Sequence, residues 1–466
     1  MLFSSIEFLL IFLPIFLGCY YLAPRNARNY ILLGGSFIFY GYGEMKYLFL
    51  IVLSIIVNYE IARAMEKSKH KTARKIWLQA GLLYDFGMLI IFKYSSFILI
   101  NLAKIPGLYF MKSFDLKPSL PLGISFYTFQ IVSYLIDVYR SSIKAERRLS
   151  QLATYLCMFP QLIAGPILIY SKVEEELSNR HETIDDVVRG VKIFVVGLAM
   201  KMILANTFGA LWSEVTMRGF DVISTPLAWM GAIAYSLQIF FDFNGYSLMA
   251  IGLGAMMGFH IPANFKRPYC AKTVTDFWRR WHITLGEWFR DYVYIPLGGS
   301  KGTKSKTIMN LLIVWLLTGI WHGAGWNFIL WGLLFFLLLT LEKTFLFDFL
   351  NRHPFIAHTY MIIIIPCSWM IFVIDDLAQI ATYFGRLFPF FGRRTVYGNE
   401  MDFVPLLSTY GLFFILAFAF IIGERYFWMG LRKMPITARA TTVVLFALCI
   451  WKIQGSAANP FLYFRF

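Results

Sequence analysis

The sequence predicts an all-α protein that crosses a membrane many times, and three observations support this. Its 466 residues are 58% hydrophobic with a mean hydropathy of +0.61, above the apolar share of soluble domains, which is about half. Apolar stretches close to the roughly 20 residues that a spanning helix needs recur along almost the whole chain. Charged residues make up only 15%. Because little sequence is left for a soluble domain, we expect one membrane domain over residues 1–466.

The apolar stretches predict about eleven transmembrane helices. Their approximate bounds are 8–22, 30–40, 47–62, 77–102, 189–212, 227–258, 308–321, 328–341, 360–373, 406–422 and 441–453. Several are short or long for one crossing, which predicts tilted or kinked helices. The start of the chain has neither a basic region nor a small-residue cleavage pattern, so we expect a retained first helix rather than a signal peptide.

The charge balance is strongly basic, with 43 Lys and Arg against 27 Asp and Glu. The basic residues are concentrated in short connectors between apolar stretches, which the positive-inside rule places in the cytoplasm. Because membrane orientation explains the charge and no nucleic-acid-binding motif is present, we expect no nucleic-acid partner. The connectors lie at 67–75, 144–148, 266–306 and 432–433.

Two hydrophobic segments contain residues that disrupt helices. They are PLGISFYTFQ at 121–130 and FPQLIAGP at 159–166. Irregular backbone at membrane depth is tolerated only where it is buried in protein or lines a wet cavity. We therefore expect re-entrant elements around a pocket, with ordinary interfacial loops as the alternative.

The segment 235–247, YSLQIFFDFNGYS, places three polar residues within an apolar span. Gln238 and Asp242 are four residues apart and share one helix face. An ionisable group near the bilayer centre costs about 3 kcal/mol or more, so Asp242 needs a partner or a cavity. We treat Gln238, Asp242 and Asn244 as candidate substrate-binding residues, with a structural link to a neighbouring helix as the alternative for Asp242.

The segment 276–291, DFWRRWHITLGEWFRD, is typical of an amphipathic helix that lies at the membrane interface. At helical spacing its tryptophans form one aromatic face, while its arginines lie around the remainder. His282 falls at the edge of the aromatic face nearest Arg279, and Trp281 precedes it. His282 is a candidate catalytic residue, or else a packed core histidine, and Trp281 and Arg279 are candidate substrate contacts.

The segment 317–331, LTGIWHGAGWNFILW, places His322 among glycines between two apolar runs. Glycine allows helices to approach closely or a helix to break. Such a break would expose an imidazole, which can accept a hydroxyl proton near neutral pH and later return it. We predict His322 as the catalytic residue, with Trp321 and Asn327 as substrate contacts. The alternative for His322 is a helix–helix contact.

Other catalytic signatures are missing from the sequence. It contains no G-x-S-x-G elbow, phosphate-binding loop or H-E-x-x-H motif, and its five cysteines show no metal-type spacing. We expect no metal and no bound cofactor. Two histidines and one carboxylate fit acid–base assistance of acyl transfer, in which a hydroxyl attacks a thioester.

Seven segments resemble the bacterial branch of the membrane-bound O-acyltransferase family, which includes the alginate-type enzymes. They cover most of residues 1–332, and the last three together are highly specific. The segments are MLFSSIEFLLIFLPIF, LPLGISFYTFQIVSYLIDVYR, FPQLIAGPI, LQIFFDFNGYSLMAIGLGAMMGF, NFKRPY, FWRRWHITLGEWFRDYVYIPLGGS and TGIWHGAGWNFILWG. In the family's pattern a small hydroxyl residue is common at Asn244 and serine at Gly286.

The resemblance implies a bundle of transmembrane, re-entrant and interfacial helices around a funnel in a bacterial inner membrane. It implies that His322 is the signature catalytic histidine and that His282 is the second, less uniformly required one. It further implies transfer of acetyl from a cytoplasmic thioester, with acetyl-CoA as donor, to an extracytoplasmic polysaccharide or to a partner with an SGNH-hydrolase-like fold. The basic stretch 266–306 suits an anionic donor, although orientation explains the same charge.

Two other functions remain open. One is D-alanine transfer to teichoic acid from a carrier-protein thioester, in a related branch of the family. The second is a transporter or scaffold in which the histidines line a proton or lipid path. The sequence shows no internal repeat of the kind that many secondary transporters have, which disfavours the second.

Overall fold

The fold consists of helices and loops, as the sequence predicts. A computed structural model describes residues 1–114, 118–163, 165–390, 401–433, 435–455 and 461–462, and no β-strand occurs within them. The α-helices are α1 Leu13–Leu22, α2 Arg28–Lys67, α3 Lys71–Leu89, α4 Ser95–Leu102, α5 Ile124–Arg140, α6 Leu149–Cys157, α7 Phe159–Leu162, α8 Glu174–Asn179, α9 Ile184–Ala199, α10 Asn206–Arg218, α11 Thr225–Met256, α12 Val274–Trp278, α13 Ile283–Phe289, α14 Lys304–His322, α15 Trp326–Leu341, α16 Phe347–Arg352, α17 Pro354–Val373, α18 Leu377–Leu387, α19 Val404–Lys433 and α20 Pro435–Gln454.

Seven helical segments among the described residues are long and apolar enough to cross a membrane. A further segment, Glu7–Leu22, is apolar but shorter. The multi-pass character is therefore confirmed, whereas the number of about eleven crossings stays a prediction. The seven are Arg25–Lys67, Lys71–Leu102, Thr225–Met256, Trp326–Arg352, Pro354–Val373, Val404–Arg432 and Ile436–Gln454.

Helix α2 joins two of the predicted stretches, 30–40 and 47–62. It is 40 residues long and is interrupted at Glu44, whose φ of −141° and ψ of 46° are not helical. Gly41 and Gly43 lie next to this point, and kinks in long helices commonly occur near glycine. The two stretches are therefore the two arms of one kinked helix.

Most of the segment 121–130 is regular helix. Helix α5 begins directly after Gly123, which has a left-handed φ of 78°. A Cβ at Gly123 would lie 2.4 Å from the carbonyl oxygen of Leu162, so only glycine fits there. The expectation of irregular backbone is wrong for residues 124–130. In the segment 159–166, α7 forms a single helical turn, and Ala164 lies outside the described residues.

The chain divides into two compact units. The first consists of Met1–Val191 and Met249–Pro262, and the second of Lys192–Leu248 and Ala263–Phe466. In the first unit, Phe159 packs against Phe16 and Phe39 with ring centroids 5.1 and 5.4 Å apart. The second unit contains every site residue that the sequence predicts. A single domain over residues 1–466 stays a prediction.

Candidate active site

His322 is the last residue of α14 and lies buried where the helix breaks. The next residue, Gly323, has an extended backbone with a φ of −171°. The rings of Trp321, Trp331 and Phe372 surround the imidazole at centroid distances of 4.9, 5.0 and 5.2 Å. The histidine is therefore held among aromatic rings at the end of a helix.

Close packing of α14 against α15 positions this helix end. A Cβ at Gly319 would lie 2.4 Å from the carbonyl oxygen of Phe328, and a Cβ at Gly332 would lie 2.5 Å from that of Trp315. Backbone atoms cannot move away as a flexible side chain can, so the two helices cross at this distance only with glycine. The glycines near His322 thus have both roles that the sequence predicts, close approach and a helix break.

His282 lies between two short helices, α12 and α13, rather than within one helix. Its φ of 45° and ψ of 53° are left-handed, which is uncommon for a residue other than glycine. Its carbonyl oxygen accepts the backbone N–H groups of Leu285 and Gly286 and so starts α13. The expected continuous amphipathic helix over 276–291 is therefore wrong, because the chain changes direction at His282.

Asn264 fixes the tautomer of the His282 ring. Its Oδ1 accepts the backbone N–H of Thr284 at 3.3 Å and the Thr284 hydroxyl at 3.1 Å. Nδ1 of His282 lies 3.1 Å from the same oxygen. Because a backbone N–H can only donate, this oxygen is the acceptor, and Nδ1 carries the ring proton. In the neutral ring, Nε2 is then the basic nitrogen.

The surroundings of His282 keep its ring neutral. The side chain is almost fully buried, with 1% of the residue exposed, and Phe243 packs edge-on against it at 4.6 Å. Burial disfavours the charged imidazolium and lowers the pKa of His282 to about 3. At neutral pH its Nε2 is therefore a hydrogen-bond acceptor and a weak base.

The two histidines belong to one aromatic cluster. The ring of Trp321 lies 6.1 Å from His282 and 4.9 Å from His322, so it contacts both. Trp369 connects Trp281 and Trp331, at 4.9 and 6.0 Å. The structure therefore brings together His282, His322, Trp281 and Trp321, and their roles in catalysis and substrate binding stay predictions.

Asp242 in α11 is held by two partners. Its Oδ1 lies 2.5 Å from Nζ of Lys201, and both side chains are buried. Its Oδ2 accepts the backbone N–H of Leu462 at 2.8 Å. A buried carboxylate requires such compensation. This arrangement agrees with the structural alternative for Asp242, and a role in substrate binding stays a prediction.

The neighbouring polar residues of α11 have similar surroundings. A Cβ at Gly209 would lie 2.6 Å from Nε2 of Gln238, and Nδ2 of Asn244 lies 3.9 Å from Sδ of Met200. These contacts are with α10 and the π-helical turn Met200–Ala205 that precedes it. Gln238 and Asn244 thus pack against this region, while the intervening Phe243 contacts His282.

The remaining candidates differ in their surroundings. Asn327 is buried and donates from Nδ2 to the carbonyl oxygen of Phe372 at 2.9 Å. Since Phe372 packs against His322, Asn327 helps to position one of the aromatic residues around His322. Arg279 is exposed at the end of α12. A direct contact of either residue with substrate stays a prediction.

Comparison with known proteins assigns the family. The model of the membrane-bound O-acyltransferase family matches residues 142–378, which include His282 and His322. The chain belongs to the membrane-bound O-acyltransferase family. This confirms the resemblance that the motifs indicate and makes the chain a multi-pass membrane O-acyltransferase.

Three relatives show the range of this family. The "Probable alginate O-acetylase AlgI" of Pseudomonas putida is 36% identical over 495 residues, which covers 100% of both chains. The "Peptidoglycan O-acetyltransferase" of Helicobacter pylori is 35% identical, covering 74% of this chain and 71% of its own. The "Teichoic acid D-alanyltransferase" of Bacillus subtilis is 32% identical, covering 48% of this chain and 59% of its own. Similarity to the O-acetylating relatives therefore extends over much more of the chain.

Four residues that support the candidate site were not predicted from the sequence. Asn264 and Thr284 orient His282, and Lys201 neutralises Asp242. Glu342 accepts the backbone N–H groups of Val274 and Thr275, at 2.6 and 2.9 Å, where α12 begins. Only Asn264 could have been noticed in the sequence, because it is the first residue of the family segment NFKRPY. The others lie far from their partners in sequence.

Proposed function

We propose that this protein transfers acetyl groups from cytoplasmic acetyl-CoA across the bacterial inner membrane. The relatives named as O-acetylating enzymes, which match this chain over 74–100% of its length, support acetyl as the group transferred. The observation that carries the proposal is the buried pair His282 and His322, which share Trp321. The proposed acceptor is an alginate-like polysaccharide outside the membrane, or a partner with an SGNH-hydrolase-like fold that modifies it.

In this proposal His322 acts as the general base. The hydroxyl oxygen of the acceptor attacks the carbonyl carbon of the thioester, and the hydroxyl proton passes to the His322 imidazole. The carbon–sulfur bond then breaks, and the leaving thiolate takes the proton back from the imidazolium. A second route, with acetyl held transiently on the imidazole, uses the same residue as nucleophile.

His282 orients a reactant rather than carrying a charge. Because its Nδ1–H donates to Asn264, its Nε2 accepts a hydrogen bond, either from the acetyl donor molecule or from the hydroxyl group that receives the acetyl. The aromatic rings around both histidines exclude water, which protects a thioester from hydrolysis. The exposed Arg279 and the basic stretch 266–306 would attract the phosphates of the donor.

The choice of donor tests the proposal. Purified full-length protein in lipid nanodiscs is given either radiolabelled acetyl-CoA or radiolabelled D-alanyl carrier protein, each with an alginate acceptor and candidate SGNH-type partners. We expect label to move from acetyl-CoA to a partner or to the glycan. Transfer from the carrier protein alone would indicate D-alanylation, and no transfer from either donor under any acceptor condition would contradict the proposed acetyl transfer.

A further inference from the structure

The first unit contains a charged pocket that the proposed reaction does not use. Its volume is about 710 Å³, and all of its lining residues fall within 25–182. None of the site residues described above is among them. Pockets of about 300 to 1,000 Å³ accommodate small organic ligands but are usually lined by apolar side chains. This one is lined mainly by charged and polar side chains, which indicates a charged ligand.

Cations outnumber anions in this pocket. Six Lys and Arg residues line it, against three Glu residues. They are Arg25, Arg28, Lys144, Arg147, Arg148 and Arg180, with Glu146, Glu174 and Glu182. Arg25 and Arg28 come together here with the basic connector 144–148, which the positive-inside rule places in the cytoplasm.

Two of the three carboxylates are already engaged by the protein. Glu182 accepts Nη1 of Arg28 at 2.5 Å and the hydroxyl of Tyr20 at 2.9 Å. Glu146 accepts the backbone N–H groups of Arg147 and Arg148, both at 2.7 Å, and the hydroxyl of Tyr170. Six cations against three carboxylates leave the pocket with excess positive charge, part of it on the exposed side chains of Arg147 and Arg148.

Arg180 contributes a buried positive charge to the wall of this pocket. Its side chain is only 7% exposed. Nε donates to the hydroxyl of Tyr20 at 2.8 Å, and Nη1 donates to Oδ1 of Asn29 at 2.5 Å. Its Nη2 is buried without a hydrogen-bond partner among the described residues. A buried guanidinium nitrogen without an acceptor is costly. This nitrogen is closed off from the pocket, so Arg180 acts on a ligand through its positive charge, which Glu182 offsets in part at 3.6 Å from Nε.

We propose that this pocket binds the phosphate group of an anionic ligand, with Arg147 and Arg148 at the rim as the contacts and Arg180 as a buried positive charge behind them. Guanidinium groups match phosphate oxygens in charge and geometry, and bind them by charge-assisted hydrogen bonds. The ligand is either a soluble phosphate compound or an anionic phospholipid headgroup. The pocket volume leaves room for more than the phosphate itself.

Binding to matched variants tests this proposal on the full chain. In nanodiscs of phosphatidylcholine, inorganic pyrophosphate is titrated by calorimetry, and in nanodiscs that also contain phosphatidylglycerol the retained lipids are counted by native mass spectrometry. The variants are Arg147→Glu with Arg148→Glu at the exposed rim, and Arg180→Gln, which removes the buried charge. The control is Lys69→Glu with Lys71→Glu, the same change of charge at exposed residues outside the pocket.

We expect each pocket variant to weaken binding by about tenfold or more and the control to leave it unchanged. Saturable pyrophosphate binding by the native protein identifies a soluble ligand. If pyrophosphate does not bind, but the pocket variants retain less phosphatidylglycerol than the native protein, the ligand is a lipid headgroup. If Arg180→Gln does not fold, the rim variant decides. The proposal is overturned if neither probe binds the native protein, or if the rim variant binds as the control does.

Discussion

At the scale of single residues, the site depends on a strained histidine with a fixed tautomer. The left-handed backbone of His282 persists because Asn264 holds both its ring and the following Thr284. Strained conformations of this kind are concentrated at functional sites. The strain at His282 and the neutral state of its ring are therefore consistent with a positioning role beside His322.

The neutral state of His282 predicts how stability depends on pH. Since burial lowers its pKa to about 3, well below the ordinary 6.5, the folded protein excludes a proton that the unfolded chain binds below pH 6.5. The resulting loss of stability begins as pH falls through 6.5 and continues towards pH 3, at about 1 kcal/mol per pH unit. We expect the His282→Asn variant, which tolerates the left-handed backbone, to lose less stability over this range.

Thermal unfolding in detergent between pH 8 and 4 measures this difference. His358→Gln, which removes an exposed imidazole, serves as the control and should follow the native curve. Identical pH dependence in the native protein and in His282→Asn would show that His282 is not buried in its neutral form.

The sequence predicts both histidines as site residues but does not indicate which residues hold them. His322 was recognisable because glycines flank it within an apolar run. The hydrogen bond that His282 donates to Asn264 joins residues 18 positions apart across a loop, so no local pattern indicates it. The ion pair of Lys201 with Asp242 was partly predictable, because a buried carboxylate requires a partner, but the partner's identity depends on how α11 packs.

At the scale of elements, the short helix α12 is anchored from a distant part of the chain. Its first N–H groups, at Val274 and Thr275, donate to the buried carboxylate of Glu342. Glu342 begins a π-helical turn, Glu342–Leu346, that follows α15. Such turns are rare and often occur at functional sites. Because α12 precedes His282, this contact helps fix where the chain turns.

Replacing Glu342 tests this anchor. In Glu342→Gln the amide has one acceptor oxygen instead of two, so at least one buried donor at the start of α12 is left unsatisfied. We expect a loss of about 1 to 3 kcal/mol in the free energy of unfolding, together with reduced transfer activity. Glu175→Gln, at an exposed position of α8, is the control. If both variants unfold at the native temperature, the anchor does not contribute.

The helix break at His282 explains where element prediction failed. The aromatic residues of 276–291 have helical spacing, and this spacing predicts one continuous interfacial helix. Residues before and after His282 nevertheless both pack inward, with Trp281 and Trp288 buried. Tertiary packing thus overrides the periodicity here, whereas the long apolar stretches predicted a multi-pass helical protein correctly.

At the scale of the whole molecule, composition determines the environment and charge predicts the orientation. Seven segments long enough to span a membrane occur within the described residues, and the basic connectors lie between apolar stretches. The segment Lys71–Leu102 is a single candidate span. The residues just before and just after it should therefore lie on opposite faces of the membrane.

Cysteine labelling tests this orientation. Lys69→Cys and Lys104→Cys introduce single thiols at exposed positions in a background without the five native cysteines. A membrane-impermeant maleimide applied outside spheroplasts should label only Lys104→Cys, and permeabilisation should allow both to react. Labelling of both in intact spheroplasts, or the reverse pattern, would contradict the positive-inside assignment.

Acetyl transfer by His322 variants tests the central claim most directly. Purified native protein, His322→Ala and the control His358→Gln are compared for transfer of label from acetyl-CoA, each shown by thermal unfolding to be folded. Loss of a general base or nucleophile lowers rates by about 100-fold or more. We therefore expect His322→Ala to lose transfer at least to this extent and His358→Gln to retain it. Native-like transfer by folded His322→Ala would contradict the assignment of His322 as the acyl-transfer centre.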